Sequence, residues 1–301
     1  MVCRRHILLV GWIFFFIPVS LWGARYPFIE TKDIAVLYDN PLKPAAEEVA
    51  SIYPGLMAEL EDTLGWNLDY KPAVLLIKDR ATFQERAGSP FFTAFAVPGH
   101  GTVVIDYSRM AARPSLLRET LKHELCHLLL HRHIQGANLP KWLDEGVAQW
   151  VSGGMAEIIM DRERFILTRA VLSGRYFRIS DLATQFPADE RGLLTAYEQS
   201  KDLIEYIVKR FGANRIPDIL DHLREGFSPD RAIYRSLFIS LDDLEREWIK
   251  DLRKRATWLT YLSVYLYEIL FFLGALLTVL GFIRVMIRKR NYRDDDFPCD
   301  A

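Results

Sequence analysis

Residues 258–283 form an apolar run interrupted by a single charge, Glu268. This run restricts the fold more than any other feature, because its length at about 1.5 Å per residue matches a hydrocarbon core of about 30 Å. Trp258, Tyr261, Tyr265 and Tyr267 crowd its start as an interfacial aromatic belt does, and Arg284, Arg288, Lys289, Arg290 and Arg293 follow its end. That basic flank assigns residues 284–301 to the cytoplasmic side. A second apolar run, residues 7–21, follows Arg4 and Arg5. Residues 1–24 therefore read as a signal peptide or a signal anchor. Both stay open, because Leu21 and Trp22 stand where a cleavage site wants small residues. The two flanks agree on a cell-membrane protein whose residues 25–255 lie outside the cytoplasm. Glu268, close behind the aromatic start, reads as an interfacial carboxylate within reach of water.

The part between the two runs must fold on its own core. The chain is 50% hydrophobic and 26% charged, which excludes a disordered tail or a disulfide-stapled miniprotein. Its 38 basic and 39 acidic residues give no global attraction to nucleic acid, so no nucleic-acid partner is expected. Of the three cysteines, Cys3 and Cys299 belong to the terminal segments, which leaves Cys126 alone outside. An intrachain disulfide is thereby excluded there.

The patterning predicts an α+β fold. Strands are expected over 34–38 and 73–77, with a hairpin of 91–97 and 102–107 around Pro98-Gly99-His100-Gly101. A helix is expected over 44–64, interrupted at Pro54-Gly55, and a short one over 81–87. From residue 114 the pattern turns helical. One helix opens at Pro114 and closes at Gly136, and a second runs from Pro140 through Trp150 to Gly153-Gly154. Further helices fit 155–172, 193–211, 216–225, 229–238 and 241–255. The expected layout is a mixed lobe over 25–153, a helical lobe over 154–255, the membrane helix over 258–283 and a basic tail over 284–301.

The chemistry is concentrated in His123-Glu124-Leu125-Cys126-His127, inside the strongest predicted helix. Residues four apart share a helix face, so the two imidazoles can converge on one metal ion, and Glu124 can take a proton from a water activated there. Two histidines and a water leave a tetrahedral zinc site one ligand short. His133 and Glu145 compete for that place. His133 would need a glycine at position 130 to break the helix, and position 130 is Leu130. Glu145 is the stronger candidate, because an antiparallel helix after a short loop returns it to the histidines. Gly146 and Ala148 would let those two helices approach, and Gln149 would hydrogen-bond near Glu145. Cys126 reads as a packed residue, His100 as an exposed turn residue, and His131 as lying one turn beyond the ligand pair.

Glu145 follows His127 by 18 residues, inside Trp142-Leu143-Asp144-Glu145-Gly146-Val147-Ala148-Gln149-Trp150. This arrangement resembles the gluzincin metalloproteases, and most of all the peptidase MA-like group. Ala196-Tyr197-Glu198-Gln199-Ser200, Tyr206, Phe211-Gly212 and the 241–252 stretch with Trp248 are also similar to that group, so the resemblance covers roughly residues 70–255. It implies a zincin fold with a hydrolase site between two lobes. His123, His127 and Glu145 would hold Zn2+, Glu124 would be general base and acid, and Tyr197 would stabilise the oxyanion. The 102–107 strand would be the edge along which a substrate peptide lies.

The sequence therefore predicts a membrane-anchored, extracytoplasmic zinc metallopeptidase acting on a peptide or protein of the cell envelope. The alternative is a catalytically silent binding or assembly module that keeps the zincin fold. The complete set with Glu124 counts against it. An intramembrane protease is excluded, because Arg118, Glu119, Lys122 and Arg132 surround the motif.

Overall fold

The computed structural model describes residues 26–88, 90–110, 114–134, 139–154, 166–256 and 258–294. The expected leader or anchor over 1–24, the 155–165 part of one expected helix and the end of the basic tail lie outside the described residues. The N-terminal part is a five-stranded sheet of β1 (Phe28–Glu30), β2 (Ala35–Tyr38), β3 (Ala73–Ile77), β4 (Ala94–Val97) and β5 (Thr102–Asp106). The spatial order is β1-β2-β3-β5-β4. β2, β3 and β5 run parallel, while β1 and β4 pair antiparallel to their neighbours. Helix α1 (Lys43–Leu64) makes the crossover from β2 to β3, and α2 (Arg80–Ala87) follows β3.

Strand alternation divides the core. Val36, Val74, Leu76, Val103 and Ile105 enter the main cluster with α1 and the central helix, whereas Leu37, Leu75, Ile77 and Val104 meet Phe83 of α2 on the other face. β3 is buried on both faces, as an uninterrupted apolar run between parallel neighbours should be. The expected interruption of α1 at Pro54-Gly55 does not occur, and the helix runs through both. Both residues face solvent, while Val49, Tyr53, Leu56, Leu60 and Leu64 form a buried stripe. Burying such side chains is worth about 1.5–3 kcal/mol each, which outweighs the ~3 kcal/mol of an interior proline and the ~1 kcal/mol of a glycine.

After the short α3 (Tyr107–Met110), α4 (Pro114–His133) is the central element, touching α1, β4 and β5. Leu125, Cys126, Leu128, Leu129 and Leu130 are all fully buried, so this stretch of the helix is enclosed nearly all round. α5 (Lys141–Ser152) returns along it and ends at Gly153, whose φ of 85° is the left-handed conformation a helix C-terminus favours. The rest is helical: α6 (Ile166–Leu172), α7 (Glu190–Phe211), α8 (Arg215–Arg224), α9 (Pro229–Leu237) and α10 (Leu241–Arg255). One apolar cluster runs from Ile34 through α4 and α5 to Leu252.

α11 (Trp258–Asp294) contains Tyr265–Lys289, the only described stretch long and apolar enough to cross a membrane. That stretch is not buried against the rest of the protein, and Glu268 lies one turn inside it. The helix that carries it takes in the whole 258–283 run read from the sequence.

Candidate metal centre

α4 presents His123 and His127 one turn apart, with their Nε2 atoms separated by 3.1 Å. α5 brings Glu145 Oε2 to 3.5 Å from each of these nitrogens. Zinc bonds of about 2.0–2.2 Å give a tetrahedron with edges of roughly 3.3–3.6 Å, so separations of this size fit ligands around one such ion. Glu145 Oε2 is buried and has no hydrogen-bond partner among the described residues, a costly state for a carboxylate oxygen that a cation would relieve. The donor set of two imidazoles and a carboxylate suits zinc.

The surroundings orient these groups. His127 Nδ1 donates to Asp144 Oδ1 at 2.7 Å, which leaves the Nε2 lone pair free for a metal. Asp144 Oδ2 also accepts from His131 Nε2 at 3.0 Å. Lys141 Nζ, one turn before Glu145, donates to its Oε1 at 2.6 Å. Tyr197 OH, on α7, is 3.5 Å from the same oxygen. Burial opposes ionisation of Glu145, yet the Lys141 ammonium and the His127 imidazole hold its carboxyl well below the usual range. Burial also opposes charge on His127, but Asp144 and Glu145 raise its pKa well above the ordinary value. Glu124 is buried beside both histidines, and desolvation raises its pKa. Burial pushes the Tyr197 phenol well up, so it remains a donor.

A cleft of about 920 Å³ opens onto this cluster. One wall is β4 with Ala94, Phe95 and Ala96, and the floor holds His123, Glu124 and Glu145. The other wall comes from beyond residue 154, with Phe186, Leu193 and Tyr197. The expectation that 102–107 is the substrate-bearing edge is wrong. β5 is paired on both sides, by β3 and β4, and the edge strand on that side of the sheet is β4.

The other candidates are placed as follows. His133 stacks on Trp66 with ring centroids 4.8 Å apart, and its Nε2 lies 2.8 Å from the Asn67 carbonyl oxygen, so it has other partners. Cys126 is packed in the core. His100 is exposed in the turn before β5. Gln149 does not reach Glu145. Its Nε2 donates to the Tyr197 carbonyl at 3.0 Å and so ties α5 to α7. Gly146 likewise serves α7 rather than α4, since a Cβ there would lie 2.6 Å from Ser200 O and 2.7 Å from Ile204 Cγ1. A Gly146→Ala protein should therefore lose about 1–3 kcal/mol of stability through overpacking, read as a lower unfolding midpoint in denaturant.

Sequence reasoning gave no role to Asp144 and Lys141, and it placed His131 one turn beyond the ligand pair without its partner Asp144. The available signals were the rule that a metal-bound imidazole gives its second N–H to a carboxylate, and the one-turn spacing of Lys141 and Glu145. Asp144→Asn keeps the shape but weakens the acceptor. It should reduce zinc affinity about 10–100-fold in competition with a chelating dye.

The family model of the peptidase MA superfamily matches residues 82–254, more than half of the chain. The chain belongs to the peptidase MA superfamily. A comparison with curated proteins finds no match. Similar solved structures include an M1 zinc metallopeptidase from Deinococcus radiodurans, with 14% identity and a TM-score of 0.42, covering 74% of this chain and 50% of that one. Legionella pneumophila aminopeptidase A in complex with aspartic acid has 16% identity and a TM-score of 0.44, covering 74% and 27%. Native yeast LTA4 hydrolase has 12% identity and a TM-score of 0.45, covering 73% and 38%. This peptidase MA member thus spans half or less of each of them. Its fold is the α+β, zincin-like arrangement of a small mixed sheet, a site helix and a helical part, followed by one apolar helix that could cross a membrane.

Proposed function

We propose that this chain is a membrane-anchored, extracytoplasmic zinc metallopeptidase. The observation that carries the reading is the geometry of His123, His127 and Glu145, which leaves a buried Glu145 oxygen without a partner at the floor of a cleft. These three residues would hold the zinc. Zinc, when bound, supplies the Lewis acidity that activates water for attack on a carbonyl. Glu124, beside both histidines and lining the same cleft, takes the proton at its carboxylate and returns it to the leaving amine. Tyr197, kept protonated by burial and packed edge-on against Phe186 at 5.2 Å, donates to the developing oxyanion from the opposite wall. Asp144 and Lys141 hold His127 and Glu145 in place.

The substrate is a peptide or protein segment that adds to the free side of β4, with apolar side chains against Phe92, Phe95 and Phe186. The cleft draws its walls from residues 25–153 and 154–255, in keeping with a site between two lobes. Tyr265–Lys289 anchors the protein. Arg284, Arg288, Lys289, Arg290 and Arg293 place the tail over 284–301 in the cytoplasm, while Arg4 and Arg5 orient a leader or anchor over 1–24 the same way. The cleft then faces proteins of the cell envelope.

The test is hydrolysis of a quenched-fluorescent peptide library by the purified full chain in detergent. Cleavage should vanish with a zinc chelator and return on zinc addition. Cleavage that ignores the chelator, or a zinc-loaded and folded protein that cleaves nothing, overturns the reading.

A further inference from the structure

α10 is the last element before the membrane helix, and its charge is distributed unevenly. Leu244, Trp248, Ile249 and Leu252 are buried. Trp248 Nε1 donates to Asp202 Oδ1 of α7 at 2.7 Å, and Arg255 pairs with Asp202 at 2.7 Å and with Asp251 at 2.8 Å. The cation on that side is neutralised, and the helix is fixed against α7.

The other side borders a groove of about 920 Å³ with Tyr176 and Ile249 in its lining. At its N-terminal end Arg246 pairs with Asp243, and Glu245 Oε1 accepts from the Ile179 amide at 3.0 Å, a bond that leaves its charge in place. Asp242 lies at the same end, one helix turn or more from the C-terminal cations. The C-terminal end carries Lys250, Arg253 and Lys254, and Arg178 lines the groove from the loop before α7, next to Ile179, whose amide meets Glu245. Among the described residues the side chains of Lys250, Lys254 and Arg178 make no ion pair or hydrogen bond, and the Arg253 side chain donates only to the neutral Tyr176 hydroxyl at 3.3 Å. Four cations without an ion-pair partner among the described residues thus line one groove against two carboxylates, Asp242 and Glu245, an excess of positive charge in a chain whose net charge is only -1.

Chain length fixes where this groove lies. Lys254 is four residues before Trp258, so its Cα is within about 14 Å of the first residue of α11 however the connection bends. A bilayer adds a polar layer of roughly 5–8 Å on each side of its hydrocarbon core. A solvated basic face needs no particular position along the chain, whereas this one sits at the membrane end of a helix that is itself held rigidly. We infer that the groove of Arg178, Lys250, Arg253 and Lys254 binds the phosphate of anionic glycerophospholipid headgroups in the membrane that α11 crosses. The inference rests on the anchoring part of the proposed function and is independent of the peptidase chemistry. It holds for either orientation of the chain.

The test uses the full chain in nanodiscs of phosphatidylcholine alone or mixed with phosphatidylglycerol. The rates at which Lys250 and Lys254 react with an amine-directed reagent are read by peptide mass spectrometry, with Lys43 of α1 as internal reference. Phosphatidylglycerol should slow Lys250 and Lys254 about fivefold, the effect of one cation held at an anionic surface. In the Arg178→Gln/Arg253→Gln protein that protection should disappear. Equal rates in both discs overturn the inference. So does protection that survives in the double variant, because a bare surface potential then explains it. Equal protection by free glycerol 3-phosphate in phosphatidylcholine discs overturns the lipid as the source. A chain that fails to enter nanodiscs at all disproves the anchoring instead, and chelator-sensitive cleavage reports separately on the metal centre.

Discussion

A Glu124→Gln protein should keep its zinc and hydrolyse peptides about 10²–10⁴-fold more slowly than wild type, the usual contribution of a positioned general base and acid. The substitution is nearly isosteric, and Glu124 lies outside the His123, His127 and Glu145 cluster, so the metal geometry has no reason to change. What the amide loses is the ability to take a proton and return it. Glu124 is only 3% exposed, so bulk water is a poor substitute at that position. Zinc content by elemental analysis and kcat/KM on one peptide, measured together, separate the two functions. Full zinc with an unchanged rate would remove Glu124 from the chemistry and favour a different proton acceptor.

Glu145→Ala should act through the metal instead. It removes one of the three proposed ligands and also the partner of the Lys141 ammonium, 2.6 Å away. The remaining groups are two imidazoles beside an unpaired lysine, a poor set for a dication. Zinc affinity should fall by more than the about 10–100-fold that losing an outer partner costs, and hydrolysis should drop to background. Comparing unfolding midpoints of the metal-free wild-type and variant proteins keeps metal loss distinct from misfolding. A variant that retains one tightly held zinc would mean that another group, such as Asp144, completes the site.

These two effects differ from those expected at Gly146 and Asp144, which act through packing and orientation. Gly146 lets α5 approach α7, and α7 carries Tyr197 into the cleft. Asp144 couples His127 to His131, so it links the ligand pair to the last turn of α4. Around the floor of the cleft, therefore, α4 presents His123, Glu124 and His127, α5 presents Glu145 with its supports, and α7 closes the opposite wall.

The α4 site was legible in the chain because it is local. A spacing of four residues on a helix puts His123 and His127 on one face whatever surrounds them, and an apolar stripe from Leu117 to Leu130 identifies the helix. The Glu145 position followed nearly as directly, since a short loop between two helices forces an antiparallel return. The apolar run before the basic tail was legible from composition alone. Local signals failed where two effects of similar size competed. Pro54 and Gly55 read as a break, yet the buried stripe of α1 carried the helix through them.

Only the tertiary structure decided which strand is the edge and which neighbours the site residues have. β4 and β5 form the expected hairpin, but nothing in either strand's composition says which of them pairs with β3. That choice depends on contacts between segments some 30 residues apart, and it moved the free edge to Ala94–Val97. The same holds for Asp144 against His127 and His131, Gln149 against the Tyr197 carbonyl, and Gly146 against Ser200. Periodicity states which face of a helix is buried, and it does so because the backbone geometry repeats every 3.6 residues. It carries no information about what that face meets, because packing partners are chosen by the whole fold at once.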